Sequence, residues 1–360
     1  MKIAYIYDVA YPWVTGGGER RIYELAIRLA KRGHEVHWFS LKWWDGPSDI
    51  TWGGIYFHGV GKQRELYKNG RRDIGEALYF AWKIFRKFRG DFDVVDSQNF
   101  PYFHNFAAGL KRVNLVITWH EVWGNYWLQY LGRLGVVGVL IERTLTHVTK
   151  NHVAVSKRTA RELEKMGVKP YIIPNGVDTK KINGVKPAEE EFDVVFAGRL
   201  IKEKRVDLLL RSLVLLKDLK ALIVGDGPEK PKLVKLAREL GLRNVKFINF
   251  LKYEDLIAYM KSSKVFVLPS MREGFGIVVL EANAAGLPVV VVRHEMNAAV
   301  DLVEDGKNGF VAEPTAYDLA EKIRLAIEQS SIMKHYAVEF AKRYDWERIT
   351  YIAEAYYKHI

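Results

Sequence analysis

Two glutamates, Glu273 and Glu281, bracket a glycine-rich turn whose neighbours suit the binding of an anionic ligand. An apolar strand at residues 264–268 precedes the turn, and a helical segment through Ala285 follows it. Such a turn binds anions because unpaired backbone N–H groups and the positive end of the helix dipole point at the ligand. At a rise of about 1.5 Å per residue, the two carboxylates would lie roughly 10 Å apart along the site. A nucleotide-sugar, with hydroxyl-bearing rings on both sides of a diphosphate, fits this spacing.

A second candidate site follows the predicted strand at residues 194–197. Gly198 lets the backbone approach a ligand closely. Arg199 and Lys204 lie on either side of a short turn into a helix, where both could meet a diphosphate, Arg as a fork and Lys as a point charge. Taken alone, this pattern is equally compatible with a basic surface cluster that binds no ligand.

Three glycines, Gly16, Gly17 and Gly18, precede a predicted helix at residues 19–32 and form another backbone site for anions. Their spacing differs from the Walker motif, which argues against P-loop ATPase chemistry. It also differs from Gly-x-Gly-x-x-Gly, which argues against a dinucleotide-binding fold.

His120 follows the predicted strand at residues 115–119, so it stands at the carboxyl edge of a parallel sheet, where ligands bind. We therefore predict a functional role for this histidine. Aromatic residues are dense beside it, from Trp119 and Trp123 to Tyr130. Aromatic side chains at this density form core, stack on sugar rings or rest at a membrane interface, and the sequence leaves these alternatives open.

Short β runs alternate with amphipathic helical runs along almost the whole chain, which predicts an α/β fold with parallel sheets covered by helices. We predict a first Rossmann-like domain at residues 1–178, a linker at residues 179–191 and a second Rossmann-like domain at residues 192–343. A helix at residues 344–360 is expected to pack back onto the first domain. One long helix is predicted at residues 126–146.

The run at residues 269–282 resembles the Glu-x7-Glu motif of retaining glycosyltransferases of family 4, the glycosyl transferases group 1. This resemblance implies the GT-B fold, in which two Rossmann-like, doubly wound parallel-sheet domains face a cleft. It covers nearly the whole chain and is weaker at residues 42–89. Arg205 stands where family members often have glycine, and residues 293–297 lack a glycine pair that many relatives carry.

The resemblance also implies roles for individual residues. Arg199 and Lys204 would neutralise the leaving diphosphate, Glu273 would orient sugar hydroxyls, and Glu281 would hold the ribose diol. The predicted catalytic residues are His120, Glu273, Arg199 and Lys204. The predicted donor-binding residues are Gly17, Gly198, Arg199, Lys204, Gly225, Phe250, Gly274, Phe275, Gly276 and Glu281. The residues predicted on the acceptor side are Gly16, Gly18, Trp119 and Trp123.

The implied reaction moves a glycosyl group from a nucleotide diphosphate sugar to a hydroxyl of a glycan, glycolipid or lipid-linked acceptor, with retention of configuration. A hydrolase mechanism would need a carboxylate near each face of the bond, and no second carboxylate is evident beside the reacting carbon. No Asp-x-Asp motif stands at a strand end, so we predict no obligatory metal and no cofactor besides the donor substrate. A nucleotide-sugar epimerase of the same architecture and a non-catalytic anion-binding protein are the alternatives.

The amino-acid composition limits the kinds of site and binding partner that this protein can have. The chain has no cysteine, which excludes a disulfide framework, a thiol nucleophile and a Cys-ligated metal. About +9 of the net charge of +12 lies in residues 1–178, which indicates an anionic partner. No nucleic-acid module is recognisable, so a phosphorylated or lipid-linked acceptor, or a peripheral membrane surface, is expected instead. The charge-rich surface of a thermophile's protein is the alternative.

The membrane hypothesis assigns the interfacial aromatic residues to Trp43, Trp44 and the run at residues 119–130. No signal peptide or spanning segment is evident in the sequence. We therefore expect a cytoplasmic protein, with peripheral association at the inner face of the membrane as an additional hypothesis.

Overall fold

The computed structural model describes residues 1–68 and 71–360 and divides them into two compact units. Unit 1 comprises Met1–Asn175 and Trp346–Ile360, and unit 2 comprises Gly176–Asp345. Each unit is built on a largely parallel sheet with helices, so the predicted α/β fold class is confirmed.

The sheet of unit 1 has eight strands, and two further short strands form a separate hairpin. The strands of unit 1 are β1 (Lys2–Ile6), β2 (Glu35–Lys42), β3 (Asp49–Trp52), β4 (Ile55–Lys62), β5 (Tyr67–Lys68), β6 (Arg71–Arg72), β7 (Val94–Gln98), β8 (Leu115–Trp119), β9 (Asn151–Ala154) and β10 (Tyr171–Ile172). The sheet order is β10-β9-β8-β7-β1-β2-β4-β3, and only β3 runs antiparallel to its neighbour. The direction of strand progression therefore reverses between β1 and β7, which marks the point where ligands bind in doubly wound sheets.

The helices of unit 1 before the crossing into unit 2 are α1 (Gly17–Lys31), α2 (Ile74–Lys87), α3 (Phe103–Gly109), α4 (Tyr126–Leu131), α5 (Gly135–Leu145) and α6 (Lys157–Lys165). The single helix predicted at residues 126–146 is wrong, because a 3-10 turn at Gly132–Leu134 separates α4 from α5. Gly132 takes a positive φ of 61°, a backbone conformation that ends a right-handed helix.

The sheet of unit 2 has six strands, all parallel. The strands of unit 2 are β11 (Phe192–Ala197), β12 (Ala221–Val224), β13 (Val245–Ile248), β14 (Ser263–Leu268), β15 (Arg272–Glu273), β16 (Val289–Val292), β17 (Met296–Asn297) and β18 (Gly309–Ala312). The sheet order β13-β12-β11-β14-β16-β18 is that of a Rossmann sheet, with its reversal between β11 and β14. The pair β15–β17 lies outside this sheet.

The helices of unit 2 are α7 (Thr179–Gly184), α8 (Val206–Leu213), α9 (Lys230–Glu239), α10 (Tyr253–Lys261), α11 (Ile277–Ala284), α12 (Ala316–Glu328) and α13 (Ser330–Lys342). The segment at residues 179–191, predicted as a linker, is not a simple connection, since it begins with α7. The Asp178 side chain accepts the Lys181 N–H at 2.8 Å and caps this helix. Ile182 is fully buried, which fixes the helix to unit 2.

The chain then returns to unit 1 through the last helix, α14 (Trp346–His359). Its apolar face contributes Trp346 and Tyr357 to the buried core of unit 1. Its polar face forms ion pairs with α1, where Arg28 contacts Glu347 and Arg32 contacts Glu354, both at 3.0 Å. The carboxyl-terminal segment is thus an integral part of unit 1.

Gly225 shows how closely the loops at the carboxyl edge of the unit 2 sheet approach one another. Its φ is +148°, and a Cβ atom placed on it would lie 1.9 Å from the carbonyl oxygen of Gly198. The loops after β11 and β12 are therefore in backbone contact, and only glycine leaves room for that contact.

We expect Gly225→Ala to lower the free energy of unfolding by more than about 3 kcal/mol. The reason is that neither the Gly198 carbonyl nor the added Cβ can move away without moving the end of a strand. Gly241→Ala is the matched control, since Gly241 also has a positive φ, of +70°, but has no atom near its added Cβ. That control should lose only about 1 kcal/mol. Denaturant unfolding of both variants measures the difference, and equal losses would contradict the steric argument.

Candidate active site

The donor-side candidates of unit 2 converge at the point where its sheet reverses. Gly198 and Arg199 follow β11, while Glu273 and Gly274 follow β14. These strands are adjacent and parallel, with Val194 paired to Val265, so their following loops leave the same edge of the sheet. Residues about 70 positions apart in sequence are thereby brought together.

The closest link between these two loops is an ion pair. Lys204 Nζ lies 2.5 Å from Glu273 Oε1, and both side chains are largely buried. The Met271 N–H also donates to the Glu203 carbonyl at 2.9 Å. The sequence predicted both Lys204 and Glu273 as site residues but not their direct contact. In this arrangement the carboxylate holds the ammonium at the site and partly neutralises it, and an incoming diphosphate would meet both groups.

The position of Glu273 is fixed by strand pairing with Asn297, a residue that the sequence analysis missed. Glu273 lies in β15, which pairs with β17 through Glu273 and Asn297. The Asn297 amide donates to the carbonyls of Ser270 and Val292 at 2.9 and 2.8 Å and is almost fully buried. Asn297 thus fixes the loop after β14 to the end of β16. The sequence did not indicate a role for Asn297, because a single asparagine in a loop is common.

Helix α11 begins at the glycine-rich turn, as predicted. Two predicted donor-site residues lie here, Glu281 within α11 and Phe275 just before its N-cap. Gly276 caps it with a φ of +96°. The Glu281 side chain lies inside the fold, at 5% exposure, rather than on a solvated helix face. The Phe275 ring is buried against Tyr344, 6.2 Å between centroids, so only the Phe275 backbone can serve a ligand. The predicted donor-binding role of Phe275 thus remains a prediction for its backbone alone.

The three cations near Lys204 differ in what they contact. Arg199 is exposed, and within the described residues its guanidinium makes no hydrogen bond or ion pair. Arg205 takes a left-handed conformation, φ 50°, and pairs with Asp207 at 3.1 Å. That conformation explains why glycine suits this position. Lys202 is exposed. Arg205 is thus the cation of this group that is already engaged by a carboxylate outside the site, whereas Arg199 and Lys202 are exposed and Lys204 meets Glu273.

The remaining donor-side candidates of unit 2 lie along the same edge. Gly225 follows β12 and contacts Gly198 through the backbone. Phe250 follows β13, and its side chain is 60% exposed. The edge formed by β11, β12, β13 and β14 therefore presents every predicted glycine turn of this unit on one side of the sheet.

In unit 1 the glycine-rich turn begins α1, with Gly16 at its N-cap and Gly17 as its first residue. A Cβ atom on Gly16 would lie 2.7 Å from the Glu19 carboxylate, and one on Gly18 would lie 3.1 Å from the Tyr7 hydroxyl. Glu19 is buried, and burial raises the pKa of its carboxyl to about 7. The predicted anion site therefore already contains an acidic side chain of the protein itself.

His120 follows β8 and is partly exposed. Its Nε2 lies 2.8 Å from Gln98 Oε1, and its backbone N–H donates to Asn99 Oδ1 at 3.1 Å. Packing around the ring and, to a smaller extent, the charge of Arg21 lower the pKa of His120 to about 3. The imidazole is therefore neutral near neutral pH and serves as a hydrogen-bonding group rather than as an effective proton acceptor.

Comparison with known proteins now bears on this geometry. Residues 177–344 match the family described as glycosyl transferases group 1, and residues 15–181 match the family described as glycosyltransferase family 4. The uncharacterized glycosyltransferase MJ1607 of Methanocaldococcus jannaschii is 31% identical over 347 residues, which cover 82% of this chain and 84% of that protein. The chain belongs to glycosyltransferase family 4. The family predicted from the Glu-x7-Glu motif is confirmed.

Two further relatives define what the similarity covers. MJ1178 of the same organism, another uncharacterized glycosyltransferase, is 27% identical over 202 residues, and the match covers 54% of this chain and 56% of that protein. A crystal structure of Anabaena Alr3699/HepE in complex with UDP-glucose has a TM-score of 0.76 and 20% identity, with both chains fully covered. The GT-B fold expected for the family is thereby confirmed.

The predicted acceptor-side aromatic residues of this family 4 member do not form an open surface. Trp119 is fully buried and donates to His152 Nδ1 at 3.0 Å. Trp123 is half-buried and packs on Trp127 with centroids 4.5 Å apart, while its backbone N–H donates to Glu142 at 2.9 Å. Trp119 belongs to the buried core of unit 1, which leaves its ring no free face, whereas Trp123 packs against that core and stays partly exposed, so its acceptor-side role remains a prediction.

Within residues 1–68 and 71–360, no group of three or more His, Asp or Glu side chains is arranged to hold a metal ion. In the same part of the chain, no helix has both the length and the apolar character needed to cross a bilayer.

Glu19 makes the stability of the protein dependent on pH. Its folded pKa of about 7 exceeds the ordinary value of 4.5, so its stabilising contribution is complete below pH 4.5 and is lost as the pH rises through 7. We expect the wild type to lose about 3 kcal/mol relative to Glu19→Gln between pH 4 and pH 8. Urea unfolding at both pH values measures this difference. Glu164→Gln, at an exposed position of unit 1, should track the wild type, and a Glu19→Gln curve parallel to the wild type would contradict the assignment.

Proposed function

We propose that this family 4 member transfers a glycosyl group from a nucleotide diphosphate sugar to an acceptor hydroxyl. The observation that carries the proposal is the meeting of Lys204 and Glu273 at the reversal point of the unit 2 sheet, with Arg199 exposed in the same connection after β11 as Lys204. A cation pair next to the N-terminus of α11 suits a diphosphate, and carboxylates suit hydroxyl groups. The UDP-glucose complex of Anabaena Alr3699/HepE, a protein of the same fold, supports a nucleotide-sugar as the ligand.

In this proposal the charged residues of unit 2 have separate roles. Lys204, Arg199 and the amides at the start of α11 stabilise the negative charge that builds on the leaving diphosphate, which is the principal catalytic effect. Glu273 accepts hydrogen bonds from sugar hydroxyls once phosphate has drawn Lys204 away from it. Glu281, the fifth of the eight residues of α11, holds the ribose diol.

Retention of configuration is proposed through substitution on one face of the sugar, with the departing diphosphate assisting removal of the acceptor proton. This mechanism needs no pair of carboxylates across the reacting carbon. The low pKa of His120 fits it, because a neutral imidazole can orient a hydroxyl but is too weak a base to remove its proton at neutral pH. Metal independence is proposed because two cationic side chains and a helix terminus can perform the electrostatic role of Mg²⁺.

An epimerase or a non-catalytic binding protein is less well supported. The family match favours transfer, and the site keeps its charged residues rather than losing them. An acceptor assay separates the three functions. A transferase consumes donor in proportion to acceptor, an epimerase consumes it without acceptor, and a binding protein does not consume it.

We expect Lys204→Ala to lower transfer by about 10²-fold or more, because it removes a principal donor to the charge of the leaving group. A thermal-shift screen with UDP, GDP, ADP and their sugars selects the donor, and release of nucleoside diphosphate in excess EDTA measures turnover. Lys202→Ala is the matched control, an exposed lysine in the same turn that should leave turnover nearly unchanged. Near wild-type turnover of a folded Lys204→Ala protein would refute the placement of the diphosphate, and loss of all activity with EDTA would refute metal independence.

The acceptor is proposed to bind unit 1, and the surface of this unit favours one that is linked to an anionic membrane. Helix α2 exposes an apolar stripe, Ile74, Leu78, Trp82 and Phe85, each about half exposed. Its opposite face is buried in unit 1, so the stripe is not the side that packs on the core. A monomeric soluble surface seldom exposes such a contiguous apolar stripe without a partner.

Positive charge surrounds this stripe. Five cationic residues line the adjoining hollow, and none of them forms an ion pair with another described residue: Lys83, Arg86, Lys87, Arg89 and Lys111. Lys83 Nζ stands 4.6 Å from the Trp82 ring, and Lys111 Nζ stands 4.6 Å from the Phe85 ring. An exposed aromatic stripe flanked by unpaired cations is the pattern of a helix that lies on an anionic lipid surface.

This surface replaces the aromatic residues first assigned to a membrane. Trp44 is buried, with its indole N–H donated to the Pro47 carbonyl at 2.9 Å. The Trp43 indole donates to the Asp8 carbonyl at 2.8 Å. Trp44 is therefore part of the packing of unit 1, while Trp43 is partly exposed with its indole N–H already engaged.

We expect wild-type protein to float with vesicles rich in phosphatidylglycerol at low salt and to be released at high salt, because screening weakens charge attraction. The double variant Arg86→Glu/Lys87→Glu should lose flotation. Lys232→Glu/Lys235→Glu, on exposed positions of α9, changes net charge equally and should keep it. Equal behaviour of both double variants, or no flotation of the wild type, would exclude this surface as the membrane contact.

A further inference from the structure

A buried chain of polar groups runs beneath His120, and it begins on the carboxyl-terminal helix. The Tyr357 hydroxyl of α14 donates to Asp96 Oδ2 at 2.5 Å. The other carboxylate oxygen, Asp96 Oδ1, accepts from Thr118 Oγ1 at 2.7 Å and from the Gln98 amide nitrogen at 3.1 Å. Asp96, Thr118 and Gln98 are all buried. The carboxylate is thus surrounded by donors from β7, β8 and α14.

The chemistry of Asp96 decides which way the Gln98 amide points. An amide nitrogen can only donate, and Asp96 Oδ1 accepts at that position. If the amide were turned over, two acceptor oxygens would face each other in a buried site, which costs more than the loss of one hydrogen bond. The Gln98 oxygen is therefore directed at His120.

The direction of the Gln98 oxygen decides the tautomer of the imidazole. Gln98 Oε1 lies 2.8 Å from His120 Nε2 and has no hydrogen to give, so Nε2 must carry the proton. The other ring nitrogen, Nδ1, is then a bare acceptor, and within the described residues it makes no hydrogen bond. The backbone of His120 is fixed separately by Asn99.

We propose that Gln98 is a positioning residue that holds His120 in its Nε2–H tautomer, and that Tyr357 sets Gln98 through Asp96. Nδ1 of His120 then accepts a hydrogen bond from a hydroxyl of the sugar or of the acceptor, and this last step rests on the proposed transferase function. The arrangement explains why α14 returns to unit 1 with a buried tyrosine. It also gives the histidine a single hydrogen-bonding role at neutral pH.

Arg21 is the other charged group that faces this chain. It is buried, and its guanidinium donates to the Pro174 carbonyl at 2.6 Å and to Asn175 Oδ1 at 3.0 Å. Its charge acts on Asp96 and on His120 in opposite senses, favouring the carboxylate and disfavouring the imidazolium. Arg21 thereby opposes burial, which raises the pKa of Asp96, and acts together with burial to lower the pKa of His120.

Nuclear magnetic resonance of protein labelled with ¹⁵N-histidine tests the proposal directly. The signals of His120 are assigned by their loss in His120→Gln. In the wild type we expect Nε2 of His120 to have the chemical shift of a protonated nitrogen and Nδ1 that of an unprotonated one. The Nε2 proton should exchange slowly with solvent. In Gln98→Leu the two nitrogen shifts should move toward each other and the proton should exchange at least 10-fold faster.

A second pair of variants tests the hydrogen bond from Tyr357 to Asp96. Tyr357→Phe removes only the hydroxyl that holds Asp96 and should speed exchange of the His120 proton by a smaller factor, several-fold. Tyr351→Phe, at an exposed position of the same helix, should have no effect. An Nδ1–H tautomer in the wild type, or unchanged His120 signals in folded Gln98→Leu, would overturn the proposal.

Turnover separates this inference from the proposed function. We expect Gln98→Leu to lower kcat about 10-fold with little change in donor KM, because positioning is lost rather than binding. If the tautomer shifts in Gln98→Leu but kcat stays at the wild-type value, the positioning of His120 stands and its part in transfer does not. If kcat falls while the His120 signals stay unchanged, Gln98 acts in some other way and the positioning inference fails.

Discussion

Parallel pairing of β11 with β14 is the constraint on which the donor site depends. It makes two loops leave the same sheet edge although about 70 residues separate them, and it sets Lys204 against Glu273. The backbone contact of Gly198 with Gly225 adds a third loop at this edge, and Asn297 secures the loop that carries Glu273. Each of these contacts would be lost if the strand order differed, since the two partners of each contact are far apart in sequence.

Electrostatics at this edge follow from what the cations contact. Arg205 is engaged by Asp207 and Lys204 by Glu273, while Arg199 is directed to solvent. The Lys204–Glu273 ion pair leaves neither of these largely buried charges alone, which would be costly. In the proposed function, a diphosphate would replace the carboxylate as the partner of the ammonium, so that binding would exchange one set of charge contacts for another.

Unit 1 uses its charged and aromatic residues differently inside and outside. Inside, Asp96 and Glu142 each gather several donors, so that buried carboxylates organise the loops around His120 and Trp123. Burial raises the pKa of both carboxyls, and the donors around them oppose that rise. Outside, α2 exposes an apolar stripe beside five cationic side chains that form no ion pair with another described residue. Part of the positive charge of unit 1 therefore lies at the surface proposed to meet an anionic partner.

The sequence by itself determined the family, the α/β class and the order of most elements, because the Glu-x7-Glu run, the glycine turns and the apolar strand runs are local patterns. It also indicated that Lys204, Glu273 and His120 belong to a site, since each follows a strand. Only the tertiary structure decided which aromatic rings are core, because Trp119 and Phe275 have the same local pattern whether buried or exposed. It alone revealed Gln98, Asp96 and Tyr357 as one chain, since their contacts join β7, β8 and a helix more than 200 residues away. Contacts of that kind depend on strand order and helix docking, which no local pattern of residues encodes.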